Sequence, residues 1–182
     1  MNTFSFSASA GFIFPEDPKT SDLFGTIYEG SVSFHPWNIN IMHLGITSNF
    51  LYKKSNPFSD DYLQDPDLNL RLTSFGTGPL VAVRFNNIVS IGMLLRLNYI
   101  WITYPESSNN SIVSVKTIGH TAFGFEFFGY FTPISVKGIN FGLAIGLHVT
   151  TYGRERYYYY YDYDLFDNLS ITGFAVKIVI AR

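Results

Sequence analysis

Apolar and polar side chains alternate with a period of two residues along most of the chain. From residue 4 to residue 14 every second side chain is apolar, and residues 5, 7, 9 and 11 between them are small or polar. The clearest of the later segments runs from Ile139 to Val149. Such alternation is typical of a strand with one apolar and one polar face. The pattern predicts eight strands, over residues 4–14, 24–35, 42–52, 75–85, 89–102, 113–127, 139–150 and 173–180.

Two segments depart from strict alternation. The phase slips near Leu72 to Ser74, ahead of the fourth strand, and a slip of this kind predicts a β-bulge. In the fifth strand, Leu94, Ile100 and Ile102 fall on the face that is otherwise polar. We therefore expect the faces of the fifth strand to be the least distinct.

The connections between the strands are alternately long and short. Residues 15–22, 54–67, 105–111 and 153–168 form polar and mostly long connections, whereas residues 36–38, 85–87 and 129–136 are expected to form shorter turns. This arrangement places the long loops at one end and the turns and both termini at the other. It predicts an all-β fold, an eight-stranded antiparallel up-and-down transmembrane β-barrel closed by pairing of the first and last strands.

In this layout the chain resembles the small eight-stranded bacterial outer-membrane barrels, such as outer membrane proteins A, X and W. The resemblance is one of pattern and extends over residues 1–182, which are expected to form a single barrel domain. The stretch Thr172-Gly173-x-x-Val176-x-Ile178 has a spacing similar to the family's assembly signal, although the chain ends in Ile180-Ala181-Arg182. The resemblance implies a bacterial outer-membrane location with the signal peptide removed, a monomeric state and outer-membrane lipid as a partner. Family members include adhesins, narrow channels, carriers of small hydrophobic molecules and structural barrels.

Composition favours the membrane barrel over a soluble, lipocalin-like ligand binder whose apolar face would point inward. Only 14% of the residues are charged, whereas 47% are hydrophobic and 18% are aromatic. The polar face consists mainly of small residues, which suit a narrow interior, and carries only a few isolated charges, whereas a water-facing surface would be rich in Lys and Glu. Several aromatic residues lie near predicted strand ends on the apolar face, as two interfacial belts require: Phe4, Phe14, Phe24, Phe34, Phe50, Tyr52, Phe85, Tyr99, Trp101 and Phe127.

Charge and cysteine content exclude further classes of function. The net charge of −2 argues against a nucleic-acid partner, which would require a basic surface. The absence of cysteine excludes disulfides, thiolate metal sites and a cysteine nucleophile.

The predicted inner face carries ionisable residues that must pair within a narrow lumen. This predicted polar network comprises Glu29, Arg84, Arg96, Lys116, Glu126, Lys177, His43, His120 and His148. We expect a structural plug of salt bridges; the alternative is a narrow polar path that rearranges. His120 and His148 lie on neighbouring strands, but no carboxylate or hydroxyl stands at a spacing that completes a catalytic triad. We therefore expect no enzymatic activity, no metal site and no cofactor.

The most biased segment is the last long loop, which contains five consecutive tyrosines. Tyrosine buries a large area at low entropic cost, so this loop is a candidate binding surface; alternatively, the tyrosines extend the aromatic belt. The candidate contacts are Arg154, Tyr157, Tyr158, Tyr159, Tyr160, Tyr161 and Tyr163. The hypothesis is surface binding or adhesion to host or envelope proteins, or a structural role in the envelope. The alternative is a narrow channel or a carrier for small or hydrophobic molecules.

Overall fold

The structure is a computed structural model that describes residues 5–55, 70–108, 111–152 and 170–182. Within these ranges, the structure does not describe the side chains of residues 19, 55, 104–108, 111–116, 118 and 152. The described residues form eight strands and one short helix. In chain order they are β1 (Ser5–Pro15), α1 (Pro18–Phe24), β2 (Ile27–Ile39), β3 (Met42–Ser55), β4 (Leu70–Arg84), β5 (Val89–Ser108), β6 (Ser111–Val136), β7 (Ile139–Tyr152) and β8 (Ser170–Ala181).

The eight strands form a closed antiparallel barrel in which each strand pairs with its neighbours in sequence. Closure occurs between β1 and β8, where Ala8 is opposite Ile180 and Phe14 is opposite Phe174. This pairing gives both terminal strands a hydrogen-bonded partner and leaves the sheet without a free edge. The predicted eight-stranded up-and-down barrel and its closure are confirmed.

The barrel has two unlike ends. Residues 40–41, 85–88 and 137–138 connect strands at one end, which also holds the start of β1 and the end of β8 and is called the turn end below. The other connections join strands at the opposite end, called the loop end. Asn40, Lys137 and Gly138 have positive φ angles of 53°, 52° and 79°, as tight strand reversals require.

Two predicted turns are wrong, because β2 and β6 continue through residues 36–38 and 129–136. Each strand accommodates a proline by a shift in register. The β2–β3 register shifts between Phe34 and Trp37, around Pro36, and the β6–β7 register shifts between Phe131 and Ile134, around Pro133. Proline has no N–H to donate to the hydrogen-bond ladder. A bulge at the proline leaves it unpaired, and the strand continues beyond it without a turn.

The predicted bulge at residues 72–74 is also wrong. Strand β4 pairs with β3 in one unbroken register from Leu70, opposite Ser55, to Val83, opposite Met42. Leu70 and Leu72 point inward and are fully buried. The apparent phase slip therefore marks a change in the chemistry of the interior, from polar to apolar, with no break in the strand.

Helix α1 caps the loop end of the interior, in a segment that was expected to be a polar loop. Asp17 is its N-cap, because its Oδ2 accepts a hydrogen bond from the backbone N–H of Thr20 at 2.8 Å, and Pro18 follows at the first helical position. The Thr20 hydroxyl donates to the carbonyl of Ser170 at 2.7 Å and so connects the helix to β8. Among the described residues, no helix is long and apolar enough to cross a membrane.

Beneath α1 lies a buried apolar cluster, called the loop-end core. Phe24, expected in the outer aromatic belt, instead ends the helix and is 1% exposed. Two residues of α1 and inward-facing residues of several strands form the cluster: Ile13, Leu23, Phe24, Ile27, Leu51, Leu70, Leu72, Ile100, Ile102, Ala122, Ile171 and Ala175. Ile100 and Ile102, two of the positions that blurred the polar face of the fifth strand, therefore belong to a hydrophobic layer inside the barrel.

The outer face of the barrel is apolar and exposed. Phe123 is 75% exposed and Ile178 is 64% exposed, although both lie within strands. Lys54 and Arg71 are cross-strand partners near the loop end, and their charged side chains face outward there. The outward residues include Phe6, Phe12, Val32, Ile46, Phe75, Leu95, Phe123, Ile145 and Ile178. The apolar face thus points away from the barrel axis, opposite to the orientation in a soluble ligand-binding barrel.

Candidate functional site in the barrel interior

The middle of the barrel holds five buried ionisable side chains, called the central network: Glu29, Arg96, Glu126, His148 and Lys177. They come from β2, β5, β6, β7 and β8, and each is at most 6% exposed. The period of two places every one of them on the inner face of its strand. Antiparallel pairing then brings Glu126 directly opposite His148.

Each cation of the central network contacts both carboxylates. Arg96 places Nη1 2.7 Å from Glu29 Oε1 and Nη2 2.9 Å from Glu126 Oε2. Lys177 Nζ lies 2.9 Å from Glu29 Oε2 and also forms an ion pair with Glu126 Oε1. Two carboxylates and two cations give a formal charge of zero. This balance matters because an unpaired charge in a desolvated interior is strongly destabilising.

His148 is held in one tautomer by its two neighbours. Its Nδ1 lies 3.1 Å from Arg96 Nη2, and its Nε2 lies 2.8 Å from the hydroxyl of Thr150. A guanidinium can only donate hydrogen bonds, so Nδ1 accepts and the proton resides on Nε2. The ring therefore donates to Thr150.

The hydroxyl of Thr150 beside His148 was not anticipated from sequence spacing. An imidazole that donates to a hydroxyl is in the wrong tautomer to remove that hydroxyl's proton. His148 and Thr150 are also both fully buried. The distances therefore resemble those in a catalytic triad, but the hydrogen bonds hold the imidazole ring of His148 in a fixed orientation.

Glu29, Glu126 and His148 also satisfy the spacing of a cation site, because one ligand atom from each lies within 4.8 Å of the others. The same carboxylates, however, already pair with Arg96 and Lys177. A divalent ion would compete with two side-chain cations for the same oxygens. The geometry is therefore that of an internally neutralised cluster.

Small residues make room for the polar layer of the lumen. The Asn49 amide donates to Glu29 Oε1 at 3.3 Å, and Asn98 lies buried on the neighbouring side. Gly76 lies between these two amides, and a Cβ at that position would overlap the side chain of Asn98. Glycine is required there because the narrow interior leaves no space for a larger residue.

Apolar layers flank the central network on both sides. The loop-end core lies on one side, beneath α1. On the other side, Leu80, Leu94 and Phe128 form a second cluster against which Tyr130 packs, with the Phe128 and Tyr130 rings 4.4 Å apart. Side chains thus fill the interior in three successive layers along the barrel: the loop-end core, the central network and the second apolar cluster.

The remaining residues of the predicted polar network lie elsewhere. Arg84 and His43 line the turn-end mouth of the barrel. His120 is half-buried on β6, six residues from Glu126 toward the loop end, which is ~20 Å along a strand. It is therefore not close to His148. The side chain of Lys116 lies outside the description, as do residues 154–163 with Arg154 and the tyrosines Tyr157, Tyr158, Tyr159, Tyr160, Tyr161 and Tyr163.

One inward histidine, His35, was missing from the predicted network. It lies on β2 at the turn end and is 9% exposed. The signal was present in the sequence, since His35 continues the inward alternation of Ser31 and Ser33. His35 is the last residue of the predicted second strand and falls on its polar face, but it was not included in the predicted network.

Comparison with known proteins shows similarity of fold. No protein-family model matches the chain, and no curated protein matches it. Neisserial surface protein A aligns with a TM-score of 0.51 and 13% identity, over 98% of this chain and 94% of that one. The β domain of the Bordetella autotransporter BrkA aligns with a TM-score of 0.52 and 9% identity, over 93% of this chain and 63% of that one. Neisserial surface protein A is a small eight-stranded outer-membrane barrel, which agrees with the resemblance stated from the sequence.

Proposed function

We propose that the protein is an integral β-barrel of a bacterial outer membrane, anchored by its apolar outer face and acting by binding through the segments at its loop end. The observation that supports the membrane location is the continuous apolar outer face of the closed barrel. Exposing one large apolar side chain to water costs about 1.5–3 kcal/mol, and this face presents many of them. An apolar surface of this extent requires lipid or a partner to cover it.

The height of the apolar face fits a membrane. From Met42 to Tyr52 the outer face of β3 runs for ten residue steps. At ~3.3 Å per residue and a strand tilt of ~40°, this stretch spans ~25 Å along the barrel axis, which is the height of the apolar band in outer-membrane barrels. Lys54 is the next residue beyond Tyr52 on the outer face and is exposed, as expected at a membrane–water boundary.

The filled interior supports a closed barrel in preference to a channel. A continuous water path would have to break the contacts of Arg96 with Glu29 and Glu126 and displace both apolar layers. Separating buried ion pairs is costly because it leaves charge without full compensation in a desolvated interior. In planar bilayers we expect the purified protein to give no conductance above the lipid background, and defined conductance steps would contradict the closed lumen.

Binding at the loop end is proposed from the composition of residues 154–163. The tyrosines at 157–161 and 163, together with Arg154, would offer large, rigid contact surfaces to a host or envelope protein. The sequence shows no pattern of known barrel enzymes, and the central network holds His148 in a donating tautomer toward Thr150. We therefore propose that the protein acts by binding rather than by catalysis.

Membrane insertion is tested by the mobility of refolded protein in gel electrophoresis, with and without boiling. We expect a heat-dependent shift for protein refolded in micelles, together with a strand signal in circular dichroism that requires the micelles. A folded monomer in detergent-free buffer would contradict the membrane location.

The binding role is tested separately on intact cells. Replacing Tyr157–Tyr161 with serine should abolish adhesion of expressing cells to cultured host cells, while the boiled and unboiled mobilities stay those of the wild type. The matched control replaces Asp60, Asp61 and Asp65 of another loop-end segment with asparagine and should retain adhesion. Equal adhesion of the tyrosine variant and the wild type would refute binding through this segment.

A further inference from the structure

A second polar site lies inside the turn end of the barrel, beyond Leu80, Leu94 and Phe128 as seen from the central network. It is a cavity of about 230 Å³. Inward residues of several strands form its walls, and the residues of the 85–88 turn form its rim. The second apolar cluster thus separates two polar sites in one lumen, and the turn-end site differs from the central network in its charge.

The turn-end cavity is positively charged. Arg84 and Arg182 line it together with the imidazoles of His35 and His43, and none of its lining residues has a carboxylate side chain. Within the part of the chain that the structure describes, Arg84 forms no ion pair. The central network is neutral by comparison, because each of its cations contacts two carboxylates. The cavity therefore presents positive charge that the described side chains leave uncompensated.

One buried polar atom in the cavity also lacks a hydrogen-bond partner. His35 is 9% exposed, and its buried Nδ1 has no hydrogen-bond partner. Its ring meets the ring of His43 edge to face, with centroids 6.3 Å apart, and His43 Nδ1 is in turn hydrogen-bonded to Asn38 Oδ1. A neutral imidazole can carry its proton on Nδ1 and donate from it. A buried polar atom without a partner is destabilising unless a ligand satisfies it.

The rim contributes a further donor. Asn86 Oδ1 accepts hydrogen bonds from the backbone N–H groups of Ile88 and Val89, both at 2.8 Å. Because its oxygen is engaged within the turn, the side chain has its NH₂ group to offer to a ligand. Arg84, His35 and Asn86 thus give the cavity a set of donors that suits an oxygen acceptor with negative charge.

We propose that the turn-end cavity binds a small oxyanion, a carboxylate or a phosphate group, with Arg84 as the charged anchor and His35 as the buried donor. A guanidinium forms paired hydrogen bonds with either group. The volume is below the roughly 300–1,000 Å³ of sites for drug-sized ligands, so the ligand is a small metabolite or a headgroup that reaches in from the membrane surface. The site is independent of the binding proposed at the loop end.

The four histidines of the chain provide the test, because two line the cavity and two do not. Protein refolded in micelles of an uncharged detergent, with isotope-labelled histidine, is titrated with inorganic phosphate and with succinate while imidazole signals are followed by NMR. We expect saturable shifts for His35 and His43 and unchanged signals for His120 and His148. Shifts that never saturate, or that affect all four histidines equally, would show a salt effect and overturn the site.

Two matched variants of β4 assign the site to Arg84. Arg84→Gln should weaken anion binding by about tenfold or more, as the loss of a charge-assisted hydrogen bond predicts. Arg71→Gln removes the same charge near the loop end of the same strand and should bind as the wild type does. The heat-dependent mobility shift checks that both variants fold, and wild-type affinity in folded Arg84→Gln would refute the proposal.

A second arm identifies the source of the anion. Micelles containing phosphatidylglycerol are compared with uncharged micelles at constant ionic strength. If a lipid headgroup is the ligand, the lipid alone shifts His35 and His43, and phosphate competes with it. If the ligand is a free anion, the doped micelles leave both signals unchanged and phosphate shifts them as before. Failure of phosphate, succinate and lipid alike to shift either signal would overturn the site.

Discussion

Removal of the Arg96 guanidinium tests whether the central network is held together by charge balance. In Arg96→Met, Glu29 and Glu126 lose contacts of 2.7 and 2.9 Å, and His148 loses the donor to its Nδ1 at 3.1 Å. Two buried carboxylates would then share the single cation of Lys177. Breaking a buried ion pair by removing one partner costs about 3–5 kcal/mol. We expect the free energy of unfolding of Arg96→Met to fall by this amount.

A second substitution restores the balance. In Arg96→Met/Glu126→Gln, Glu29 and Lys177 remain as a neutral pair 2.9 Å apart. We therefore expect the double variant to be more stable than Arg96→Met, with a favourable coupling of about 1–3 kcal/mol between the two positions. The control Arg71→Met removes an exposed arginine and should change the stability by no more than about 0.5 kcal/mol.

The assay is equilibrium unfolding by urea in zwitterionic phospholipid vesicles, followed by tryptophan fluorescence. The two tryptophans, Trp37 and Trp101, both lie on the outer face, so their emission reports the loss of the folded barrel in the membrane. Additive losses in the double variant would show that the charges act independently. That result would refute the view that neutrality of the cluster stabilises the lumen.

Three further substitutions test the outer face, the cap and the closure of the barrel. Leu95→Arg, near the middle of the outer face, should cost about 2–4 kcal/mol in the same unfolding assay, whereas Thr73→Arg near the loop-end boundary should cost about 1 kcal/mol or less; equal costs would argue against a lipid-facing gradient. Phe24→Ala leaves a void in the loop-end core and should cost about 3–5 kcal/mol, and an unchanged stability would mean that α1 does not cap the barrel. Gly11→Val places a Cβ against the backbone of β8 and should reduce the yield of the heat-shifted form, while a wild-type yield would contradict the β1–β8 register.

The orientation of side chains could be predicted from the sequence because the pleat of a strand fixes it. Alternation alone placed Glu29, Arg96, Glu126, His148 and Lys177 on the inner face, and the closed order of strands followed from the lengths of the connections. The choice of ion-pair partners could not be predicted, since it depends on the stagger of β2, β5, β6 and β8 around the barrel. The stagger includes the register shifts at the bulges around Pro36 and Pro133. The sequence pattern predicted turns at both places.

The loop-end cap was missed for a different reason. Asp17 followed by Pro18 is a recognisable helix start, but a helix of seven residues offers too short a pattern for its apolar face to be seen. Leu72 and Ile102 broke the expected alternation because the interior is apolar beneath α1 and polar at the centre. Such layering along the barrel axis is a tertiary property that no single strand reveals.

Contact of the outer face with lipid is the central claim, and tryptophan quenching by brominated phospholipids tests it most directly. In the single-tryptophan variant Trp37→Phe, the remaining Trp101 lies on the outer face of β5 and is 38% exposed. After refolding into vesicles with bromine on the acyl chains, we expect strong quenching of Trp101 by bromine and weak quenching by acrylamide from the water phase. Trp101 fluorescence that is quenched by acrylamide and unaffected by bromine, in a protein that is nevertheless folded, would contradict a membrane-spanning barrel.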